Sequence, residues 1–353
     1  MKLFKFKKLI SFVSVAFIAS SLFIGCGNKN VDDNKTLNIF NAGDYIDPDL
    51  IKTFEKETGI KVNYEVFETN EIMYQKLKSN PSSYDLVFPS DYMIEKLIKE
   101  NLLDKLDFNN IPNYKNVNEK FKHLSFDPND EYAVPYMWGT VGILYNKKVV
   151  KEPVDSWDIL WNPKYIGDIF MLDSIRDSMG LALKKIGYSL NTTNQQEIDK
   201  AKKELEKQKP NVLAYVGDEV KDRMLAGEGS IGIVYSGDAV HLMEKHKDLQ
   251  FVVPKEGSNI WVDGMVVPKG AKHKALAEQF INFMLDPEIA KQNVEYIGYS
   301  TTNKAAFQLL DEDIRDNKVA YPDSSTLKNC EIFKDLGSNI KKYDDAWLEI
   351  KSK

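Results

Sequence analysis

The 353-residue chain has 43% hydrophobic residues and a formal net charge of −6, which is length and apolar content enough for two packed domains. Basic runs are confined to its start, so nucleic acid is not an expected partner, and two cysteines cannot build a disulfide framework. The first 25 residues hold four lysines and no acid, which leaves −10 for the rest; that sign suits a cationic ligand, although net charge mainly governs solubility.

Lys2, Lys5, Lys7 and Lys8 head an almost uncharged apolar run, residues 9–24, that stops at Phe23-Ile24-Gly25-Cys26. Basic head, apolar stretch and small residue at the end describe a secretory signal over residues 1–25. The run falls short of the about 20 residues needed to span a bilayer. A cysteine directly after the small residue resembles the bacterial lipoprotein box, with Phe23 where that box usually has Leu. The resemblance implies lipidation of Cys26 and tethering to a membrane through the polar stretch 26–35. Cys330 is then left without a partner for a disulfide, and a buried or inert thiol is expected.

From residue 36 strand-like and helix-like stretches alternate. A strand at 36–40 is followed by a helix opened by Asp47-Pro48 and closed by Gly59. A strand at 61–66 follows, then a helix over 71–78 capped by Asn70, a strand at 84–88 and a helix starting at Ser90 or Asp91. Beyond Trp138-Gly139-Thr140-Val141-Gly142 a second block has strands at 168–172, 230–235 and 251–253, and helices at 174–186 and 195–207. A segment at 261–268 precedes a long amphipathic helix over 274–285. Repeated β-α-β units predict the α/β class. Two lobes joined by extended crossings are expected, with the ligand cleft between them.

Enzyme signals are weak. Gly227-Glu228-Gly229-Ser230-Ile231-Gly232 fits G-x-G-x-x-G, but a helix precedes it and a strand follows, the reverse of a dinucleotide site. A helix-stop turn is the expected reading. His241 and His246 are five residues apart and do not converge on a metal, and all four histidines are expected to face solvent. No cofactor and no metal is expected.

Acids beside aromatics recur at the ends of predicted strands. Asp44-Tyr45 follows the first strand, Ser90-Asp91-Tyr92 the third, and Asp173 and Asp177 the one at 168–172. Tyr235-Ser236-Gly237-Asp238 follows 231–234, and Trp261-Val262-Asp263 precedes the crossing strand. Each acid taken alone is as readily a helix cap. Asp263 stands apart because it interrupts an apolar run and needs a partner if buried. Converging carboxylates repel one another unless a cation bridges them, and an ammonium group is a strong donor to a carboxylate. Tyr and Trp faces suit cationic ends and the methylenes between them. An anionic ligand would need basic residues at these turns, where only Arg176 occurs.

At this point the chain resembles the bacterial spermidine/putrescine-binding proteins of ATP-driven importers. The likeness rests on Glu57-Thr58-Gly59-Ile60-Lys61-Val62, Tyr84-Asp85-Leu86-Val87-Phe88-Pro89-Ser90, Tyr132-Ala133-Val134-Pro135-Tyr136-Met137-Trp138-Gly139, Trp261-Val262-Asp263 and Ile297-Gly298-Tyr299-Ser300-Thr301-Thr302-Asn303. It implies a two-lobed periplasmic-binding-protein fold of type II and docking on permease subunits, with a monomer expected. The lobes are placed at 36–139 plus 264–307 and at 140–263 plus 308–353. The resemblance assigns Asp44 and Tyr45 to one amine end, Ser90 and Tyr92 to the ligand wall, Asp177 to the other amine and Tyr235 to an aromatic wall. Trp261 and Asp263 match the central aromatic–acid pair, and Tyr299 matches a rim tyrosine. Asp238 matches an aspartate of the putrescine branch. Ala42, Gly43, Ser174 and Phe333 depart from the family pattern, which leaves diamine against triamine open. Another organic cation or an amino acid is the alternative ligand, and an exported enzyme or a surface adhesin the alternative role.

Overall fold

The computed structural model describes residues 35–352, so the signal segment and Cys26 lie outside the described residues. Among the described residues no helix is long and apolar enough to cross a membrane. The first elements are β1 (Thr36–Ala42), α1 (Pro48–Thr58), β2 (Lys61–Phe67), α2 (Asn70–Ser79), β3 (Leu86–Val87) and α3 (Asp91–Lys99). β1 is parallel to both neighbours, β2 and β3, and buries Leu37, Ile39 and Phe40 completely. α1 begins and ends as its residues dictate. Asp47 accepts from the Asp49 amide, Pro48 needs no amide partner in the first turn, and Gly59 takes a left-handed φ of 71°.

At α2 the expected cap is displaced by one residue. Thr69 accepts from the Ile72 amide at 3.2 Å, and the Asn70 amide group turns instead to Ser90. It accepts from the Ser90 backbone N–H at 3.0 Å and donates to the Ser90 hydroxyl at 3.1 Å. The strand expected at 84–88 shrinks to two ladder residues.

β4 (Ala133–Asn146) is the longest strand, at 14 residues. β5 (Ile169–Leu172), α4 (Ile175–Lys185), α5 (Gln195–Gln208), β6 (Val212–Val216), α6 (Val220–Leu225), β7 (Ile231–Tyr235), α7 (Ser236–Lys245), β8 (Leu249–Val252) and β9 (Ile260–Val266) follow. The strand order is β2-β1-β3-β9-β4-β7-β5-β6. From Ala133 to Thr140, β4 runs antiparallel to β9, and from Val141 onward it pairs with β7 and β8. β9 reaches β3 through Val87 and Val266. The result is a two-lobed α/β fold in which β4 and β9 carry the chain across. Trp261 and Asp263 therefore sit inside the crossing strand and not before it.

The chain ends with α8 (Lys274–Met284), α9 (Pro287–Ile297), β10 (Ser300–Thr301), α10 (Lys304–Leu309), α11 (Glu312–Arg315), α12 (Ser324–Leu327) and α13 (Ile340–Ser352). α13 buries Tyr343, Ala346, Trp347 and Ile350, which lets a polar C-terminal segment lean on α4 and α5. The glycine run at 227–232 is the end of α6 and the start of β7. Gly227 (φ 72°) and Glu228 donate their amides to Met224 O and Arg223 O, both at 3.1 Å, a helix-closing pair. Glu228 also accepts from Arg223 at 2.7 Å. His273 departs from expectation: its side chain is largely buried, with Nδ1 3.2 Å from Asp85 Oδ2.

Candidate functional site

The crossing strands build the centre of the site by register. Ser90 and Asp263 form an antiparallel bridge, in step with the Val87–Val266 pair, so the turn into α3 faces the acid on β9. One pair further out, Gly139 on β4 lies opposite Trp261. A Cβ at Gly139 would stand 2.5 Å from Trp261 Cζ2 and 2.7 Å from Ser236 Oγ, so only glycine leaves room for the indole. Gly237, in the first turn of α7, does the same for Tyr299, where an added Cβ would lie 2.2 Å from the ring.

The aromatic residues form a chain of edge-to-face contacts. Tyr45 meets Tyr299 at 5.5 Å, Tyr299 meets Trp261 at 5.3 Å, and Trp261 meets Tyr235 at 6.1 Å. Such contacts are worth about 0.5–1.5 kcal/mol each beyond the area they bury. Tyr136 supports the first ring from behind: it stacks edge-on with Tyr45 at 5.2 Å, donates to Tyr45 O at 2.7 Å and accepts from Asn293 at 2.7 Å. Burial raises the hydroxyls of Tyr45, Tyr92, Tyr235 and Tyr299 well above the usual tyrosine value, and the acids beside them add to it. These hydroxyls stay protonated and serve as donors.

The acids lie among the rings. Asp263 Oδ2 accepts from the Tyr45 hydroxyl at 2.7 Å, while its Oδ1 is buried with no protein partner. Burial pushes the Asp263 carboxyl up to about 7, against the pull of the Tyr45 and Ser90 hydroxyls. Asp177 stands in the first turn of α4. Its Oδ2 accepts from Ser174 at 2.6 Å and from Tyr235 at 3.1 Å, and its Oδ1 is likewise buried and unpartnered. Burial raises its pKa too. Asp238, in the first turn of α7, is pushed up to about 6 by burial, with Lys221 pulling it back and Asp218 pushing it further.

Asp44 and Tyr92 hold different positions from this inner group. The Asp44 side chain is 89% exposed, with Lys221 Nζ 3.8 Å away, which places it on the rim. Tyr92 donates to Glu71 at 3.0 Å and turns its ring to Phe333 and Arg176. Asp173 lies outside the cluster and pairs with Lys351 at 2.8 Å. A cavity of about 10 Å³ beside Asp177, lined by Val141, Leu181, Ser258, Asn259 and Phe333 among others, has the size of one water molecule.

Three contributors, Tyr136, Asn259 and Lys221, escape a reading of the sequence alone. Asp91, which the sequence offers equally as a helix cap and as one of the acids beside aromatics, is fully buried; its Oδ2 accepts from the Val262 amide at 3.2 Å and its Oδ1 from the Tyr92 amide at 2.6 Å. Burial raises its pKa well above the carboxylate range. Tyr136 and Asn259 sit in apolar or loop surroundings with nothing local to distinguish them, and Lys221 lies on a short helix that the apolar period does not reveal. Arg176 is visible in the sequence, yet its role is structural. Its guanidinium lies 4.3 Å over the Phe333 ring and donates to Lys334 O and Asn191 Oδ1, both at 3.0 Å.

A cluster of partly unpartnered acids and aromatic faces, set where two strands cross between α/β lobes, defines a solute receptor of the two-lobed kind. Residues 49–321 match the family of bacterial extracellular solute-binding proteins. The spermidine/putrescine-binding periplasmic protein of Escherichia coli (strain K12) is 39% identical over 336 residues, 95% of this chain and 97% of its own length. The spermidine/putrescine ABC transporter substrate-binding protein of Streptococcus pneumoniae, solved with calcium and HEPES, is 44% identical and superposes with a TM-score of 0.79 over 90% of this chain and 99% of its own. A lipoprotein of Treponema pallidum, 29% identical, gives 0.82 over 90% of this chain and all of its own. This chain belongs to the family of bacterial extracellular solute-binding proteins that contains these spermidine/putrescine receptors. The fold is accordingly the type II periplasmic-binding-protein fold, and the family binds solutes for transporters rather than catalysing reactions.

Proposed function

We propose that this protein is an extracytoplasmic lipoprotein that captures putrescine, spermidine or both between its lobes and delivers the polyamine to an ATP-driven permease. The observation that carries the reading is the pair of buried carboxylates, Asp177 and Asp263, each with one oxygen held by tyrosine and the other with no hydrogen bond of ordinary geometry, only the weaker pull of Asn259 and of Ser90. A dication with an ammonium at each end meets that need, and Trp261, Tyr235 and Tyr299 offer faces to the methylenes between. Burying four methylenes contributes about 3 kcal/mol, and charge-assisted hydrogen bonds about 1.5–3 kcal/mol each. After the cost of association, micromolar affinity is in reach. Ser90 and Tyr92 line the wall, and Asp44 and Asp238 bound the outer rim of the cleft, where Lys221 lies 3.8 Å from each. The lobes, read as 36–139 plus 264–307 and 140–263 plus 308–353, close on the ligand as a monomer does.

An amino-acid ligand fits less well, because its carboxylate needs a free cation. Arg176 turns its terminal nitrogens to Lys334 O and Asn191 and lies over Phe333, which leaves only its buried Nε without a partner. A thermal-shift screen separates the readings. Putrescine or spermidine at a hundred times its Kd adds about 2.7 kcal/mol to the native state and raises Tm by several degrees. A rise with amino acids and none with either amine would overturn the assignment.

Tethering rests on Cys26 following Gly25 at the end of the apolar run. Replacing it, Cys26→Ala, is expected to move the protein from the membrane fraction to the soluble fraction of fractionated cells. Unchanged membrane retention together with unchanged lipid labelling would refute the anchor.

A further inference from the structure

Lys221, on α6, places its Nζ 3.8 Å from Asp44 Oδ2 and 3.8 Å from Asp238 Oδ1. The two carboxylates come from different parts of the fold, the turn after β1 and the first turn of α7. At that distance the contacts are ion pairs shared between two acids rather than direct hydrogen bonds. A third acid is close by. Asp218 Oδ2 stands 3.0 Å from where a Cβ on Gly43 would be, and its charge acts on Asp238. The lysine side chain is only 22% exposed, so its stem is packed while its ammonium lies among the outer acids.

We propose that Lys221 is a resident ammonium that fills one cationic position of the cleft, so that the protein favours a diamine over a triamine. The proposal rests on the polyamine reading and deepens it. A lysine side chain is four methylenes ending in an ammonium, the same chemistry as one end of putrescine. With Lys221 answering Asp44 and Asp238, the inner acids that keep an unpartnered oxygen are Asp177 and Asp263. Two acids suit two ammonium groups. A third ammonium on a longer ligand has to reach the outer end, where Lys221 already occupies the place between Asp44 and Asp238 and must be displaced. Ser174 acts in the same direction, since it puts a neutral hydroxyl rather than a further acid beside Asp177.

The test is calorimetric titration of wild type and Lys221→Met with putrescine and with spermidine. The expected result is a rise of about tenfold or more in the affinity for spermidine relative to putrescine. Lys221→Arg keeps the charge and should keep the wild-type ratio. A ratio unchanged within about threefold in Lys221→Met would overturn the proposal and make Lys221 an ordinary surface ion pair, a kind worth little. Should the Met variant fold poorly by its melting curve, Lys221→Gln is read by the same ratio. Failure of wild type to bind either amine would refute the polyamine reading itself, a result distinct from binding with an unchanged ratio.

Discussion

Replacing Asp263 by asparagine is expected to weaken polyamine binding by about ten- to a hundredfold while leaving the fold intact. The substitution keeps the shape of the side chain and lets Tyr45 still donate to the remaining carbonyl oxygen. It removes the charge and puts an NH₂ in place of one oxygen, so an ammonium meets a donor where it needs an acceptor. Charge-assisted hydrogen bonds are worth about 1.5–3 kcal/mol, and every 1.4 kcal/mol is tenfold in Kd. Free protein should be no less stable than wild type, since a buried carboxyl that resists ionisation is exchanged for a neutral amide. Calorimetry together with a melting curve reads both halves of this expectation. Unchanged affinity would remove Asp263 from the site, and a collapsed melting temperature would make it a structural residue instead.

Binding is also expected to tighten as pH rises from 5 to 8. Burial puts the free-state carboxyl of Asp263 near 7 and that of Asp238 near 6, above the ordinary aspartate value of about 3.9. Below those values the acids are protonated and must lose a proton before they can face an ammonium. The ligand's terminal amines stay charged through this window, as primary alkyl ammonium groups titrate near 10. Affinity should therefore rise about fiftyfold through Asp263 alone between pH 5 and pH 7, and by about twofold more before it levels off above pH 8. The stability of the free protein should move the opposite way. An unfolded aspartate gives up its proton near 4 while the folded one holds it to 6 or 7, so the native state binds more protons across that window. Native stability accordingly falls as pH rises through it. In Asp263→Asn the affinity profile should flatten, leaving only the smaller dependence near pH 6. A profile that is flat in wild type, or that falls with pH, would contradict this electrostatic account.

The outline of the fold was legible where local chemistry decides it. Asp47-Pro48 and Gly59 bound α1 because a capping carboxylate, a proline without an amide and a left-handed glycine each have one natural place in a helix. Gly227 ended α6 for the same reason. The centre of the site was half legible. Asp263 betrayed itself as a charge in an apolar run, and the aromatic residues beside each acid marked the strand ends. Register was not legible, because a bridge between Ser90 and Asp263 joins residues 173 apart in the chain and no local pattern encodes it. At Asp91 the local sequence leaves capping and burial in the cleft equally open, because its complete burial depends on β9 arriving above it. Asn70 was misplaced by one residue because Thr69 and Asn70 are both competent caps, and the link to Ser90 favoured releasing the asparagine. Lys221 was invisible, since a lysine on a six-residue helix is ordinarily solvated.

Two family departures also gain a physical meaning from their surroundings. Phe333 carries the Arg176 guanidinium on its face and lines the small cavity next to Asp177, so it closes that end with an apolar wall. Gly43 lies against the Asp218 carboxylate, which adds a further acid to the outer end.

The central claim is that Asp177 and Asp263 grip the two ends of a polyamine, and the most direct measurement is calorimetric titration of the protein lacking its signal segment with putrescine and spermidine at pH 7.5. The expected result is saturable one-site binding with Kd in the micromolar range or tighter for at least one of the two, lost or strongly weakened in Asp263→Asn and in Asp177→Asn. Absence of saturable binding to both amines at concentrations far above micromolar, or undiminished binding in both variants, would contradict it.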